Sequence, residues 1–247
     1  MATAAQPVYF ELSWSILSTI GLVNTLFGLL VGGITTFSPI CAVPIITSLS
    51  CAIANGLCYY AFYNESYPVT NRAVASVFAD IAWMAQEAGY SFYSYIILTR
   101  MLRRKSLYIF TGLFWFSMLG ILSIRVSIAV LRVGIITGSN DKGQKTINSL
   151  HVGYFVLIAT VECISAFFLL RTFHKAKVMS RETAIRTDLL RHLMRSTEGR
   201  LALLAILGTM RAITYSFQAS AQSATGIASQ LDRFAYTLEC MFPIMML

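Results

Sequence analysis

Two carboxylates, Asp80 and Glu87, lie seven positions apart inside the apolar stretch Ala73–Leu98, AVASVFADIAWMAQEAGYSFYSYIIL. On a helix that spacing puts both on one face, and Trp83, Met84, Ser91 and Ser94 continue the same stripe. A carboxylate at bilayer depth costs several kcal/mol unless it meets a cation or a wet cavity, so the face should look into a helix bundle. Two kinds of chemistry are open to such groups. Paired with arginines they hold helices in register. Held neutral by burial they become proton donors, with Trp83 and Tyr90 offering ring faces that stabilise a cation.

The stretch Leu107–Ile136 supplies the complementary charges, Arg125 and Arg132, again seven positions apart. Consecutive spans run antiparallel, so residues at equal depth have residue numbers with a constant sum. Asp80 with Arg132 and Glu87 with Arg125 share one such sum, so a single register pairs both acids with both arginines. Near the C-terminus Arg211 with Glu239 and Gln218 with Asp232 repeat the arrangement. Tyr215 falls on the face between Arg211 and Gln218, and Arg233 adds a further cation. These groups read either as interhelical staples or as the lining of a substrate cavity.

Glu162, in FVLIATVECISAFFLL, has no basic residue at matching depth in a neighbouring span. An isolated carboxyl in hydrocarbon favours its neutral form. That is the form a general acid uses, and equally the form of an inert side chain bonded to a helix carbonyl. His151 falls at a helix end, while His174 and His192 fall in a basic connection. Cys41, Cys51, Cys58, Cys163 and Cys240 form no CxxC pair and no zinc spacing, so they read as small packing residues. With no P-loop and no dinucleotide fingerprint either, no cofactor and no metal is expected.

The elements that must position these residues are membrane spans. A chain of 247 residues, 56% apolar and only 12% charged, lies outside the composition of soluble domains. Near-continuous apolar runs predict an all-α seven-helix bundle occupying 1–247 as one domain. The expected spans are Phe10–Phe37, Ile40–Phe62, Ala73–Leu98, Leu107–Ile136, Leu150–Leu170, Leu201–Ala219 and Ile227–Leu247. The net charge of +8 sits beside the spans, which points to lipid headgroups and topology and not to nucleic acid. Arg100, Arg103, Arg104 and Lys105 follow the third span, and eight basic residues fill 171–200. The positive-inside rule then puts the N-terminus outside and 171–200 in the cytosol. Leu189, Leu190, Leu193 and Met194 give that connection an amphipathic stripe suited to the membrane surface or to a partner. Asn64-Glu65-Ser66 is a glycosylation acceptor in an outward loop. The first apolar run is too long for a cleaved signal peptide, and the chain is expected to stop inside or at the edge of its seventh span.

The stretches SFYSYIILTRMLRR, RVSIAVLRVGIITGSND, VECISAFFLLRTF, MRAITYSF and RFAYTLECMF give the chain a resemblance to small fungal seven-helix integral membrane proteins. The end of the chain is also similar to lipid-translocating exporters of the RTA type, in which an arginine opens the sixth-helix motif and an acid–tyrosine–acid pattern marks the last helix. Arg211, Asp232, Tyr236 and Glu239 occupy those positions, although the third span lacks that family's proline-containing stretch. Some fungal proteins of this size and helix count accompany secondary-metabolite pathways, and certain of these are membrane terpene cyclases that use intramembrane acids. Helix count and orientation are similar to those of G-protein-coupled receptors, but no acid–arginine–tyrosine signature follows the third span.

Three functions are therefore expected in turn, all in the endoplasmic reticulum or plasma membrane. The first is a cofactor-independent enzyme acting on an isoprenoid, with Glu162, Glu87 or Asp80 as proton donor and Trp83, Tyr90 and Tyr215 around the carbocation. The second is an exporter or flippase of amphipathic lipids, in which Arg125, Arg132, Arg211, Asp232 and Glu239 meet the headgroup. The third is a receptor coupled through 171–200. The first two share a hydrophobic small molecule or lipid as partner.

Overall fold

The computed structural model describes residues 11–62, 67–138, 143–182, 199, 203, 206–214 and 227–246. Among them no strand occurs. Helix α1 (Glu11–Ile34) and α2 (Pro39–Phe62) form a hairpin over a short connection. Pro39 opens α2, where its missing N–H has no carbonyl to meet. The two helices approach closely at Gly21, where a Cβ would lie 2.6 Å from the backbone nitrogen of Ala52. Only glycine permits that separation, and Ser18 uses it to donate to the Ala52 carbonyl at 2.8 Å.

The third apolar stretch is not the single helix its length predicts. It divides into α3 (Val69–Glu87) and α4 (Ser91–Met101) around a turn at Ala88–Tyr90. Ser91, Phe92 and Tyr93 donate to the carbonyls three residues back instead of four, which tightens the coil there. Gly89 marks the cause, because α2 presses on the turn. A Cβ at Gly89 would fall 2.7 Å from Thr47 Cγ2 and would collide with the Ala85 carbonyl. Asp80 and Glu87 stay together on α3, whereas Ser91 and Ser94 belong to α4.

Helix α5 (Lys105–Ile136) follows a turn in which Arg104 has φ 48°. Helix α6 (Gly143–Glu182) packs back on α5 and outruns the expected Leu150–Leu170 at both ends. Residues 171–182 thus prolong α6 and are not a separate surface helix, while 183–198, with its leucine stripe, lies outside the described residues. Residues 206–214 are helical. Helix α7 (Ile227–Met246) packs against α1 and α2.

Burial is inverted relative to a water-soluble protein. Phe116 is 78% and Val130 66% exposed, while Asp80 and Arg125 are 0% and 3% exposed. Among the described residues four stretches, Trp14–Ile34, Pro39–Phe62, Lys105–Ile136 and Gly143–His174, are long and apolar enough to cross a membrane. Apolar outside and charged inside is the arrangement hydrocarbon imposes, since only buried polar groups find partners there. The chain is a helical membrane protein.

Two interiors result. Around α4, the first half of α5 and the body of α6 lies an apolar core of Leu98, Phe110, Phe114, Ile158 and Leu169. Around α3, the second half of α5, 206–214 and α7 lies a charged one.

Candidate functional site: a charged chamber between helices

The charged interior is built on two arginines of α5 and one at residue 211. Arg132 donates to Asp80 Oδ1 at 2.8 Å, and Arg125 Nε donates to the Asp80 carbonyl at 3.0 Å and lies 3.5 Å from Asp80 Oδ1. Arg125 also approaches Glu87 at 3.8 Å. Both pairs that the antiparallel register predicts are therefore present. Arg211 meets Glu239 at 2.7 Å, again as predicted, and Asp232 at 3.6 Å. It also donates to Glu87 at 2.7 Å, which joins the two predicted pairs into one network. Gln218 and Tyr215 lie outside the described residues, as does Asn64.

Aromatic rings cover the same arginines. Arg125 and Arg132 both stand over Trp83, each 5.6 Å from its centroid. Arg211 lies 4.1 Å from the Phe155 ring and 4.8 Å from Tyr236. Arg233 packs on Trp14 at 3.7 Å. The ring faces that could steady a substrate cation are already occupied by guanidiniums of the chain itself.

Tyr236 ties this chamber to α2 and α3. Its hydroxyl accepts from Trp83 Nε1 at 2.9 Å and from Asn55 Nδ2 at 3.1 Å, and donates to Gln86 Oε1 at 3.0 Å. Those donors and acceptors come from two helices, so one phenol of a third orients Trp83 and closes a polar network among them. Composition could not single out Asn55 or Gln86. A signal for Gln86 was present, since it precedes Glu87 in a helix whose apolar pattern fails there. Tyr90 stands apart from the chamber's ion pairs, donating to the Glu239 carbonyl at 3.0 Å with its ring against Phe242.

A small cavity of about 40 Å³ lies between these groups, lined by Trp14, Trp83, Tyr236, the four arginines, Glu87, Asp232, His151 and Phe155. That is room for a water molecule or a head of a few atoms, and not for a folded isoprenoid. His151, expected at a helix end, is buried and lines this cavity. Its Nδ1 lies 2.9 Å from the Ile147 carbonyl. No cluster of His, Cys, Asp or Glu able to hold a metal ion occurs among the described residues.

Glu162 is buried but separate. Ser91 Oγ donates to its Oε1, while among the described residues no hydrogen-bond partner meets Oε2 and no arginine lies within ion-pair distance. Glu162 therefore points into the bundle, as an isolated acid in hydrocarbon must.

Two apolar grooves open sideways. One, of about 350 Å³, runs between α3 and α5 along Ile81, Leu122, Val126, Ala129 and Val133, and its lining includes Asp80 and Arg125. The other, of about 580 Å³, lies over the Gly89 turn between α2, α4 and α5, lined almost wholly by apolar atoms.

Comparison with protein-family models, with curated proteins and with solved structures finds no match. Fold and site define a class, a helical membrane protein with a buried charged chamber and apolar grooves beside it.

Proposed function

We propose that the protein is a seven-pass carrier of an amphipathic lipid, an exporter or flippase, with its N-terminus outside. The carrying observation is the α3–α5 groove. Its walls are apolar and open to the surroundings, yet its floor is the Asp80–Arg125 contact at 3.5 Å. An acyl or isoprenoid tail fits the walls, and a polar head reaches the charged layer without crossing hydrocarbon. Arg125 lines both this groove and the central cavity, so head and tail sites adjoin. The ion pairs then serve as exchangeable partners, each replaceable by the headgroup during passage.

The test is lipid movement in proteoliposomes carrying a fluorescent short-chain lipid in one leaflet. Ala129→Phe fills the groove without touching a charge. Transfer by the unaltered chain and its loss in Ala129→Phe are expected, and equal transfer in empty and loaded vesicles would end the reading. The orientation is checked by occupancy of Asn64 with an N-glycan when the chain is made in microsomes.

A second reading rests on Glu162, the buried acid with a serine for its hydrogen-bond partner and, among the described residues, no arginine at hand. In that reading it protonates an isoprenoid epoxide or olefin, as a cyclase would, without a cofactor. Membranes supplied with a polyprenyl epoxide should then form a cyclic product that Glu162→Gln abolishes. Unchanged product in Glu162→Gln would remove it.

A further inference from the structure

Carboxylates are unevenly shared among the four arginines of the chamber. Arg211 touches three, Glu87, Asp232 and Glu239, Arg125 touches Asp80 and Glu87, and Arg132 touches Asp80. Arg233 has none within ion-pair distance among the described residues, although it is only 8% exposed and lines the cavity. Among the described residues its close partner is the Trp14 face at 3.7 Å. A ring face returns less to a buried cation than taking that cation out of water costs, so the ring alone does not compensate the charge.

Trp14 and Trp83 stand 5.8 Å apart, and Trp83 carries Arg132 on its own face. The paired indoles thus carry Arg233 and Arg132 at one corner of the cavity, where Arg132 already holds Asp80 at 2.8 Å and Arg233 holds no carboxylate among the described residues. An anion entering that corner would meet Arg233 as a donor of complementary charge in a low-dielectric site.

We infer that this corner binds the anionic head of the carried molecule, a carboxylate or phosphate, with Arg233 as the residue that reads its charge. The inference rests on the lipid-carrier reading for its tail and on Arg233 for its head. A cavity of about 40 Å³ suits a compact group and excludes a bulky choline or sugar head.

The experiment compares dodecyl phosphate, dodecanoate, dodecyltrimethylammonium and inorganic phosphate as ligands of the purified full chain in nanodiscs. Binding is read by the shift in thermal unfolding and by titration. The two anionic amphiphiles should bind the unaltered chain about tenfold or more tightly than the cationic one, the scale of one charge-assisted hydrogen bond. Tight binding of inorganic phosphate alone would assign the site to a free anion, whereas binding only with a tail assigns it to a lipid head. Arg233→Gln should erase the preference, and Arg233→Lys should restore part of it. Equal binding of all three amphiphiles to the unaltered chain, a comparison that needs no variant to fold, would overturn the inference. So would an unchanged preference in a folded Arg233→Gln. Anion preference without lipid movement in vesicles would remove the carrier reading and keep the site. Movement without preference would do the opposite.

Discussion

The apolar and charged interiors of this bundle solve the same packing problem by different means. In the apolar one, Phe92, Tyr95 and Phe114 interlock, with Tyr95 and Phe114 stacked at 4.4 Å and Phe92 edge-on to Phe114 at 5.3 Å. Lipid tails are as apolar as these rings, so burial there gains close packing and little hydrophobic free energy. In the charged one, three helices and the 206–214 stretch are joined through Arg125, Arg132 and Arg211 at 2.7–3.8 Å from their carboxylates. Its groups have no acceptable alternative partner in hydrocarbon, so the network specifies which helix faces which. One interior tolerates exchange of shape, and the other does not tolerate loss of a partner.

The sharpest way to break that contrast is to remove Arg211. Arg211→Met strands Glu87, Asp232 and Glu239 together and is expected to cost about 3–5 kcal/mol, the usual result of orphaning a buried charge. Reversible unfolding in mixed micelles measures it, and a loss no larger than that of an apolar truncation would put the two interiors on equal footing. Phe114→Ala tests the other side. In water such a truncation costs about 3–5 kcal/mol, but with lipid as the reference only the packing part remains, so about 2 kcal/mol is expected.

A double-mutant cycle on Asp80→Asn and Arg132→Gln isolates one pair of the charged side. Coupling of about 1–2 kcal/mol is expected from their 2.8 Å contact, and additive effects would mean that Arg125 replaces Arg132 as partner. The smallest effect falls on Glu162→Gln. Ser91 can hydrogen-bond either side chain, so stability should change by under about 1 kcal/mol. A larger loss would show that Glu162 is tied to the charged network after all.

How much of this was legible in the sequence differs by element. Asp80–Arg132, Glu87–Arg125 and Arg211–Glu239 could be read from spacing alone. Consecutive antiparallel helices share one rise per residue, and buried charges must find partners. The turn at Gly89 was hidden, because it depends on α2 pressing against that point of the chain. Likewise the contact of Arg211 with Glu87, the four-residue network of Tyr236, Asn55, Gln86 and Trp83, and the seat of Arg233 on Trp14 all join helices far apart in the chain.

By itself, then, the sequence determined that the chain is helical, that it belongs in a membrane, and which charges share a depth, since hydropathy and helical periodicity are properties of single segments. Tertiary structure alone decided which non-consecutive helices touch. That choice left Arg211 surrounded by acids and Arg233 with an indole in place of a carboxylate, because neighbours across a bundle are set by how whole helices pack and not by how any one of them is written.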